Sequence, residues 1–201
     1  MMEITKEQLI IQGCINMESI AQRNLYHTFM PIMRTVCNRY ASNSDDAQDI
    51  MQEGFVKVFL NFNKFENKGA LEGWIKRIMI NTAITHYKKN KVWREKESLD
   101  NYEKSFNEEE NARIEFANEA DHSNVWDRYA DLDSEVLLQT IQSLSEPFRM
   151  VFNMFFVENM RHREIAEVLQ IDENTSRTRL VRAKKMVQKK LESLVHSTSL
   201  K

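Results

Sequence analysis

Glycine and proline are almost absent from this chain, and their scarcity restricts its fold more than any other feature of the sequence. Only 4 of the 201 residues are glycine and 2 are proline, and no glycine follows Gly73. Because these residues form most tight turns, their scarcity disfavours a β-sandwich, a barrel and a glycine-rich nucleotide fold. A hydrophobic fraction of 42% is sufficient for a buried core. We therefore predict an all-α protein.

The sequence shows no signal for a membrane or for an oxidising compartment. No uninterrupted apolar run approaches the roughly 18 residues of a membrane helix, and the N-terminus lacks the pattern of a signal peptide. Two cysteines, Cys14 and Cys37, are too few for a disulfide or metal framework. We expect a cytoplasmic protein without membrane insertion.

The formal net charge of -2 is the sum of three unlike segments. Residues 1–94 carry a net charge of +4, residues 95–135 carry -10, and residues 136–201 carry +4. Sparse apolar residues in the acidic segment predict a flexible linker. The alternative is a solvated helix that packs through Ile114, Phe116 and Trp126. The fold class that follows is two small helical domains joined by an acidic flexible linker, with boundaries at 1–92, 93–135, 136–196 and a tail at 197–201.

Apolar periodicity and capping residues divide both domains into helices. One apolar stripe in the first domain consists of Leu25, Phe29, Ile32, Met33 and Val36. The turn cluster at 42–45 starts a helix that ends near Phe62, and another helix extends from Leu71 to about Lys91. The second domain has four predicted helices, at 136–144, 146–157, 162–169 and 173–194.

The strongest local signal is a predicted helix-turn-helix at residues 162–191, in which Gln170 and Ile171 form the turn. The second helix of such a motif enters the DNA major groove. One of its faces is apolar, formed by Leu180, Ala183, Val187, Leu191 and Leu194. Candidate base-reading residues near its start are Asn174, Thr175, Arg177, Thr178 and Arg179. Candidate phosphate contacts are Arg182, Lys184, Lys185 and Lys189. The alternative is an ordinary basic surface helix.

The polar residues inside this motif have structural interpretations. Ser176 lies in the apolar arc, and we expect its hydroxyl to bond to the carbonyl of Asp172. His162 is interpreted as a surface or phosphate-facing residue. The histidines show no metal-binding spacing such as HExxH, so no metal, cofactor or catalytic residue is predicted.

A second candidate surface is an acidic stripe in DAQDIMQEGFVKVF, residues 46–59. Asp46, Asp49 and Glu53 share about 60° of one helix, with Gln52 at the margin. The other face is apolar and consists of Ala47, Met51, Phe55, Val58 and Phe62. Such a stripe can meet a basic partner helix, coordinate a metal, or be solvated. No His or Cys lies nearby in the sequence, so a metal is not indicated.

A third candidate surface follows the helix that begins at Leu71. Arg77, Asn81 and Lys88 share one edge, bordered by Ile84 and Thr85. The helix ends in a basic cluster with two interleaved aromatic rings, namely Lys88, Lys89, Lys91 and Arg94 with Tyr87 and Trp93. Cations beside aromatic rings suit an unpaired nucleic-acid strand. Trp74 and Tyr87 are nevertheless expected in the core.

With these three segments in this order, the chain resembles the extracytoplasmic-function (ECF) sigma factors of bacterial RNA polymerase. The resemblance covers both helical domains. It implies that the acidic stripe of Asp46, Asp49, Gln52 and Glu53 contacts core polymerase. It implies contacts with the unpaired -10 promoter strand by Arg77, Asn81, Thr85, Lys88 and Lys89, and a pocket for a flipped base at 61–68. It implies contacts with the -35 element by Asn174, Thr175, Arg177, Thr178, Arg179, Arg182, Lys184 and Lys185.

The resemblance also implies partners beyond the promoter. An anti-sigma factor is expected, and the acidic linker is expected to follow the RNA path of the polymerase. Four positions depart from the family pattern, namely Arg161, Gln170, Ser176 and Leu71. The alternative function is a conventional helix-turn-helix regulator that acts without core polymerase.

Overall fold

The computed structural model describes residues 5–66, 69–95 and 133–198. Within these ranges the chain forms α-helices and a single 3-10 turn, without a β-strand. The chain divides into two compact units after His86. The first four helices are α1 (Lys6–Ile15), α2 (Ser19–Tyr40), α3 (Ser44–Leu60) and α4 (Leu71–Glu95), and the last four are α5 (Ser134–Gln142), α6 (Glu146–Phe156), α7 (His162–Leu169) and α8 (Glu173–Thr198).

The starts of the helices in the first unit follow from local capping residues. The Thr5 side chain accepts a hydrogen bond from the backbone N–H of Gln8, and the Gln8 side chain accepts one from Thr5, so α1 begins with a capping box. Asn43 accepts a hydrogen bond from the N–H of Asp46 at the start of α3. The predicted helix start in the 42–45 cluster therefore agrees with the structure.

The core of the first unit consists of apolar residues from α2, α3 and α4, including Leu25, Met33, Val36, Val58, Ile75 and Met79. The predicted apolar face of α3 is buried throughout. In α2, however, Ile32 is 43% exposed, because the true buried stripe passes through Met33, Val36 and Cys37. The α2 helix continues through Pro31.

Two helix ends in the first unit differ from their predicted positions. The helix α3 ends at Leu60 rather than near Phe62, because the chain turns at Asn61 into the 3-10 turn Phe62–Lys64. The side chain of Asn61 donates to the carbonyl of Lys57 and so satisfies one of the last carbonyls of α3. The helix α4 continues beyond Lys91 to Glu95.

The second unit consists of α5 to α8, and its helices agree with the predicted ones to within a few residues at most ends. The guanidinium of Arg149 is buried and donates to the carbonyls of Gln142 and Leu144, both at 2.8 Å. The carbonyl of Gln142 is the last of α5 and Leu144 follows the helix, so the buried cation satisfies a group that the helix itself leaves unpaired and one in the turn after it. At the other end of the unit, Leu194 is 38% exposed, so the predicted apolar stripe of α8 ends at Leu191.

The turn between α7 and α8 depends on a left-handed residue. Gln170 has φ 55° and ψ 54°, and the N–H of Ile171 donates to the carbonyl of Ala166 at 3.1 Å. This is the pattern of a Schellman motif, in which the left-handed position usually holds glycine. Gln170 therefore forms the same tight turn as glycine, at a conformational cost.

Most of the predicted acidic linker lies outside the described residues, and so does its alternative helix around Ile114, Phe116 and Trp126. Its first residues, 93–95, belong to α4, and residues 134 and 135 begin α5. Among the described residues, no helix has the length and apolar character needed to cross a membrane.

Candidate functional site

The second helix of the helix-turn-helix has the two faces that its sequence predicts. Leu180, Ala183, Val187 and Leu191 are buried. The candidate contacts lie on the remaining surface: Asn174, Arg177, Lys185 and Lys189 are exposed, whereas Thr175, Thr178, Arg179, Arg182 and Lys184 are half-buried. The basic side chains thus lie on one side of a helix whose other side is anchored in the core.

An open concavity of about 520 Å³ lies at the start of α8. Five predicted DNA contacts line it, namely Asn174, Thr175, Thr178, Arg179 and Arg182. The turn residues Gln170, Ile171 and Asp172 complete one side, and Phe148 of α6 adds an aromatic ring. Sequence reasoning did not single out Phe148, because it lies on a different helix.

Arg177 and Lys184 of α8 do not line this concavity, and both make interactions within the protein. The guanidinium of Arg177 is paired with the carboxylate of Glu173 one turn earlier. The ammonium of Lys184 lies 5.6 Å from the centre of the Phe156 ring, a cation–π distance. These residues remain predicted contacts, and any contact with DNA would compete with these interactions.

The structure corrects the interpretation of His162 and Ser176. His162 is buried, with its Nδ1 atom 2.9 Å from the Oγ atom of Ser176. Its ring stacks on Phe155 at a centroid distance of 4.9 Å. The prediction of a surface or phosphate-facing His162 is therefore wrong. The predicted bond from the Ser176 hydroxyl to the Asp172 carbonyl is also wrong, since the hydroxyl contacts His162 instead.

The start of α7 compensates for the absence of a serine cap. Arg161 has no oxygen in its side chain with which to accept a backbone hydrogen bond. The carboxylate of Glu164 instead accepts the backbone N–H of Arg161 at 2.7 Å. This interaction is one half of a capping box, and it leaves the Arg161 side chain exposed.

The acidic stripe on α3 contains residues in different environments. Asp49 and Gln52 are exposed, whereas Asp46 is half-buried and accepts a hydrogen bond from the Asn43 side chain at 3.0 Å. Glu53 is bound on both oxygens: Oε1 lies 2.7 Å from Nζ of Lys57, and Oε2 lies 2.6 Å from Nε2 of His86. The hydrogen bond from Lys57, followed by that from His86, lowers the pKa of the Glu53 carboxyl, whereas partial burial opposes the shift.

The Glu53–His86 contact is the functional geometry that sequence reasoning missed in this unit. The two residues lie 33 positions apart, so no periodic pattern brings them together. A histidine is thus beside the acidic stripe, although none is near it in the sequence. Among the described residues, no group of three or more His, Cys, Asp or Glu side chains has the arrangement of a metal site.

The candidate strand-binding edge of α4 is exposed to solvent at Arg77, Asn81, Thr85 and Lys89, with Lys88 half-buried. Ile84, which was placed beside this edge, is buried. Tyr87 is buried in the core, as expected. The side chains of Lys91, Trp93 and Arg94 lie outside the described part of the structure.

An aromatic cluster supports the loop before α4. The ring of Trp74 lies 5.5 Å from that of Phe62 and 5.3 Å from that of Phe65, and both phenylalanines are buried. Trp74 was expected in the core, and it is half-buried. The predicted base pocket at 61–68 includes residues 67 and 68, which lie outside the described ranges.

Two segments of the chain match known families. Residues 25–92 match Sigma-70 region 2, and residues 134–187 match Sigma-70 region 4. The first segment contains the candidate contacts on α3 and α4. The second contains those on α8 up to Lys185.

Individual relatives agree with these matches. The chain is 28% identical over 148 residues to the RNA polymerase sigma factor SigV of Bacillus subtilis (strain 168), covering 74% of this chain and 77% of that protein. It is 24% identical over 195 residues to the ECF RNA polymerase sigma-E factor of Escherichia coli (strain K12), covering 97% and 99%. Among solved structures, it is similar to the sigma factor RpoE in complex with the anti-sigma factor NepR from Bartonella quintana, with 19% identity, 85% and 96% coverage, and a TM-score of 0.47.

Matches to region 2 and region 4 thus lie in order along the chain, one in each helical domain, and sigma factors that include an ECF sigma factor align with most of the chain. The resemblance inferred from the three surface patterns is confirmed. This chain belongs to the ECF sigma factors, the subunits with which bacterial RNA polymerase initiates transcription at promoters.

Proposed function

We propose that the two helical domains divide promoter recognition between them. The domain at 1–92 docks on core polymerase and captures the unpaired -10 strand, and the domain at 136–196 binds the -35 duplex. The acidic segment between α4 and α5 joins them, and α8 continues to Thr198 through the first two residues of the predicted tail. The main support for this proposal is the concavity at the start of α8, which is lined by five predicted DNA contacts.

At the -35 element, α8 is expected to enter the major groove with its N-terminal turns. Asn174, Thr175, Thr178 and Arg179 are suited to base edges because they combine amide, hydroxyl and guanidinium donors. Arg177 is a further candidate reader once its pairing with Glu173 is released. Phosphate contacts are proposed for Arg182, Lys184, Lys185 and Lys189.

At the -10 element, the exposed edge of α4 is expected to hold the unpaired strand. Arg77, Lys88 and Lys89 supply positive charge, while Asn81 and Thr85 supply hydrogen bonds. On α3, the stripe of Asp46, Asp49, Gln52 and Glu53 is the proposed docking face for a basic surface of the polymerase. Complementary charge of this kind increases the rate and the specificity of docking.

The remaining proposals concern the other partners and the cell compartment. An anti-sigma factor would cover the polymerase-binding and DNA-binding faces. The acidic linker is proposed to follow the RNA path, where its charge resembles that of RNA. The protein is proposed to act in the cytoplasm and to perform no covalent chemistry, because its contribution is binding energy that offsets local unpairing of the promoter.

The rival function is a helix-turn-helix regulator that binds DNA without core polymerase. It accounts for the α8 concavity but gives no joint role to the acidic stripe on α3 and the polar edge of α4. A sigma factor uses all three surfaces. The geometry therefore favours the sigma factor.

The -35 assignment is tested with holoenzyme and promoters selected from a randomised library. Arg179→Ala removes a candidate base contact that lines the concavity, and Lys189→Ala removes a candidate phosphate contact outside it. Arg179→Ala should reduce discrimination between the selected and a scrambled -35 duplex by about 1–3 kcal/mol. Lys189→Ala should weaken binding to both duplexes equally. Unchanged discrimination by Arg179→Ala would contradict the assignment.

A further inference from the structure

A polar cluster connects the acidic stripe of α3 to α4. The carboxylate of Glu53 binds Nζ of Lys57 at 2.7 Å and Nε2 of His86 at 2.6 Å. Because a carboxylate can only accept hydrogen bonds, the Nε2 atom of His86 must carry a proton. Nζ of Lys57 also donates to the hydroxyl of Thr82 at 3.2 Å. The cluster thus links two residues of α3 to two residues of α4.

The contacts of this cluster on α4 lie one helical turn apart. Thr82 is fully buried, and its hydroxyl donates to the carbonyl of Ile78 at 2.8 Å, so it is tied to the α4 backbone as well as to Lys57. His86 is half-buried. A helix held at two points separated by one turn is restrained in rotation about its axis as well as in position.

These two points lie directly beside the candidate strand contacts. Asn81 precedes Thr82, and Thr85 precedes His86. Both are exposed, and the hydroxyl of Thr85 donates to the carbonyl of Asn81 at 2.8 Å. A rotation of α4 that released Thr82 and His86 would therefore move both strand contacts by a similar angle.

Apolar packing also holds α4 beside the cluster, through buried residues such as Ile75, Met79 and Ala83. Gly54 follows Glu53 on α3, and its missing side chain leaves room for the side chain of Met79 on α4. The contacts of Glu53 and Lys57 add directional restraints to this packing.

Glu53 also differs from its neighbour in the acidic stripe. Asp49 is exposed and, within the described residues, makes no salt bridge or side-chain hydrogen bond. Its carboxylate is available to a basic partner. The carboxylate of Glu53 contacts Lys57 and His86. Glu53 therefore lies both in the docking face and at the contact between α3 and α4.

We infer that Glu53 is a positioning residue for the strand-binding edge of α4, in addition to its place in the docking face, and that it acts through His86. This inference rests on the proposed function of both surfaces. It assigns a role in promoter opening to His86, which lies outside both candidate contact sets. Core binding and strand capture then share one side chain, whereas Asp49 serves core binding alone.

The test measures core affinity and promoter opening separately. Core affinity is measured by titrating labelled protein with purified core polymerase. Opening is measured with saturating holoenzyme, by the fluorescence of 2-aminopurine in the -10 element of a promoter that was selected from a randomised library with the wild-type holoenzyme. Saturation ensures that weaker core binding does not reduce the opening signal.

The variants are Glu53→Gln, His86→Gln and their combination, with Asp49→Asn and His27→Gln as matched controls. His86→Gln should leave core affinity unchanged and reduce the opening rate by about threefold, the effect of a partly exposed charged contact. The double variant should open no more slowly than the slower single variant, because both substitutions act on the same contact. Asp49→Asn should weaken core binding alone, and His27→Gln, an exposed histidine of α2, should change neither measurement.

Opening by His86→Gln at the wild-type rate would overturn the inference, and so would a double variant whose defect is the product of the two single defects. A failure of the proposed function looks different. In that case the wild-type protein itself would not bind core polymerase or would not open a selected promoter.

Discussion

His162 and Ser176 form a polar contact inside an otherwise apolar helix-turn-helix core. Both residues are buried, and the contact joins the start of α7 to α8 while Phe155 of α6 stacks on the imidazole. A buried polar atom that loses a partner is costly. The contact therefore contributes to the packing of three helices.

We expect Ser176→Ala to destabilise the second unit by about 1–3 kcal/mol, because it removes a partner of buried His162. Ser193→Ala, which removes an exposed hydroxyl of the same helix, should stay within about 0.5 kcal/mol of the wild type. Hydrogen exchange of α8 peptides across a urea series measures both values. A Ser176→Ala variant as stable as Ser193→Ala would contradict the prediction.

Gln170 stores conformational strain in the turn before α8. A left-handed conformation costs roughly 1–2 kcal/mol for a residue with a Cβ atom, and glycine loses about 0.5–1 kcal/mol more backbone entropy on folding. We expect Gln170→Gly to stabilise the second unit by the difference, roughly 0.5–1 kcal/mol. The same exchange measurement checks it, and a loss of stability would mean that the Gln170 side chain stabilises the turn by more than the strain.

Glu53 makes the stability of the first unit depend on the pH of the solution. Its carboxyl has a lowered pKa in the folded protein, so its contribution is present above the unfolded-state pKa and is lost as the pH falls through the folded-state pKa. The side chain is 34% exposed, so we expect less than about 1 kcal/mol. Thermal melting should show Glu53→Gln below wild type at neutral pH and equal to it well below the ordinary Glu pKa of about 4.3. A constant difference at all pH values would contradict this prediction.

At the scale of the helices, the glycines of α3 and α4 have opposite roles. A Cβ atom at Gly54 would overlap the side chain of buried Met79, whereas one at Gly73 would meet open space. We expect Gly54→Ala to destabilise the protein by about 1–3 kcal/mol through overpacking. Gly73→Ala should instead stabilise it by up to about 1 kcal/mol, because alanine favours an exposed helix.

Urea denaturation of the two alanine variants forms a matched comparison, since each adds one methyl group to a helix. Equal effects would show that Met79 moves aside without loss. A lower free energy of unfolding for Gly54→Ala than for Gly73→Ala would show that Met79 of α4 packs closely against the α3 backbone at Gly54.

The helices themselves could be predicted wherever local chemistry determines them. The bounds of α7 follow from its short apolar period and the turn after it, and Pro147 locates the first turn of α6. The end of α3 was missed because Asn61 caps it before the apolar pattern ends at Phe62. Local periodicity predicts which residues share a face, but not where a helix stops.

Contacts between helices were the part of the candidate sites that the sequence could not reveal. His162 is a polar residue at the start of an amphipathic helix, and its burial depends on Phe155 and Ser176, which belong to other helices. Glu53 meets His86 across 33 positions. Phe148 reaches the α8 concavity from α6. All three depend on how helices pack, which spacing along one helix does not encode.

At the scale of the whole molecule, the charge pattern fits a subunit that acts within a larger enzyme. Two segments with a net charge of +4 flank one with -10. Neither basic segment has the strong positive charge typical of proteins that bind DNA tightly alone, since affinity for DNA depends on the number of phosphates neutralised. Core polymerase is therefore expected to supply much of the affinity for the promoter, and this chain the selectivity.

The central claim is tested most directly by run-off transcription with purified core polymerase on a promoter selected from a randomised library and on a scrambled control. The protein should produce a transcript from the selected promoter alone. Asp49→Asn should raise the concentration of protein needed for half-maximal transcription by about tenfold, as expected for the loss of a charged interfacial contact. Arg179→Ala should instead relax promoter choice. A protein that binds the selected duplex but neither associates with core polymerase nor yields a transcript would contradict the account.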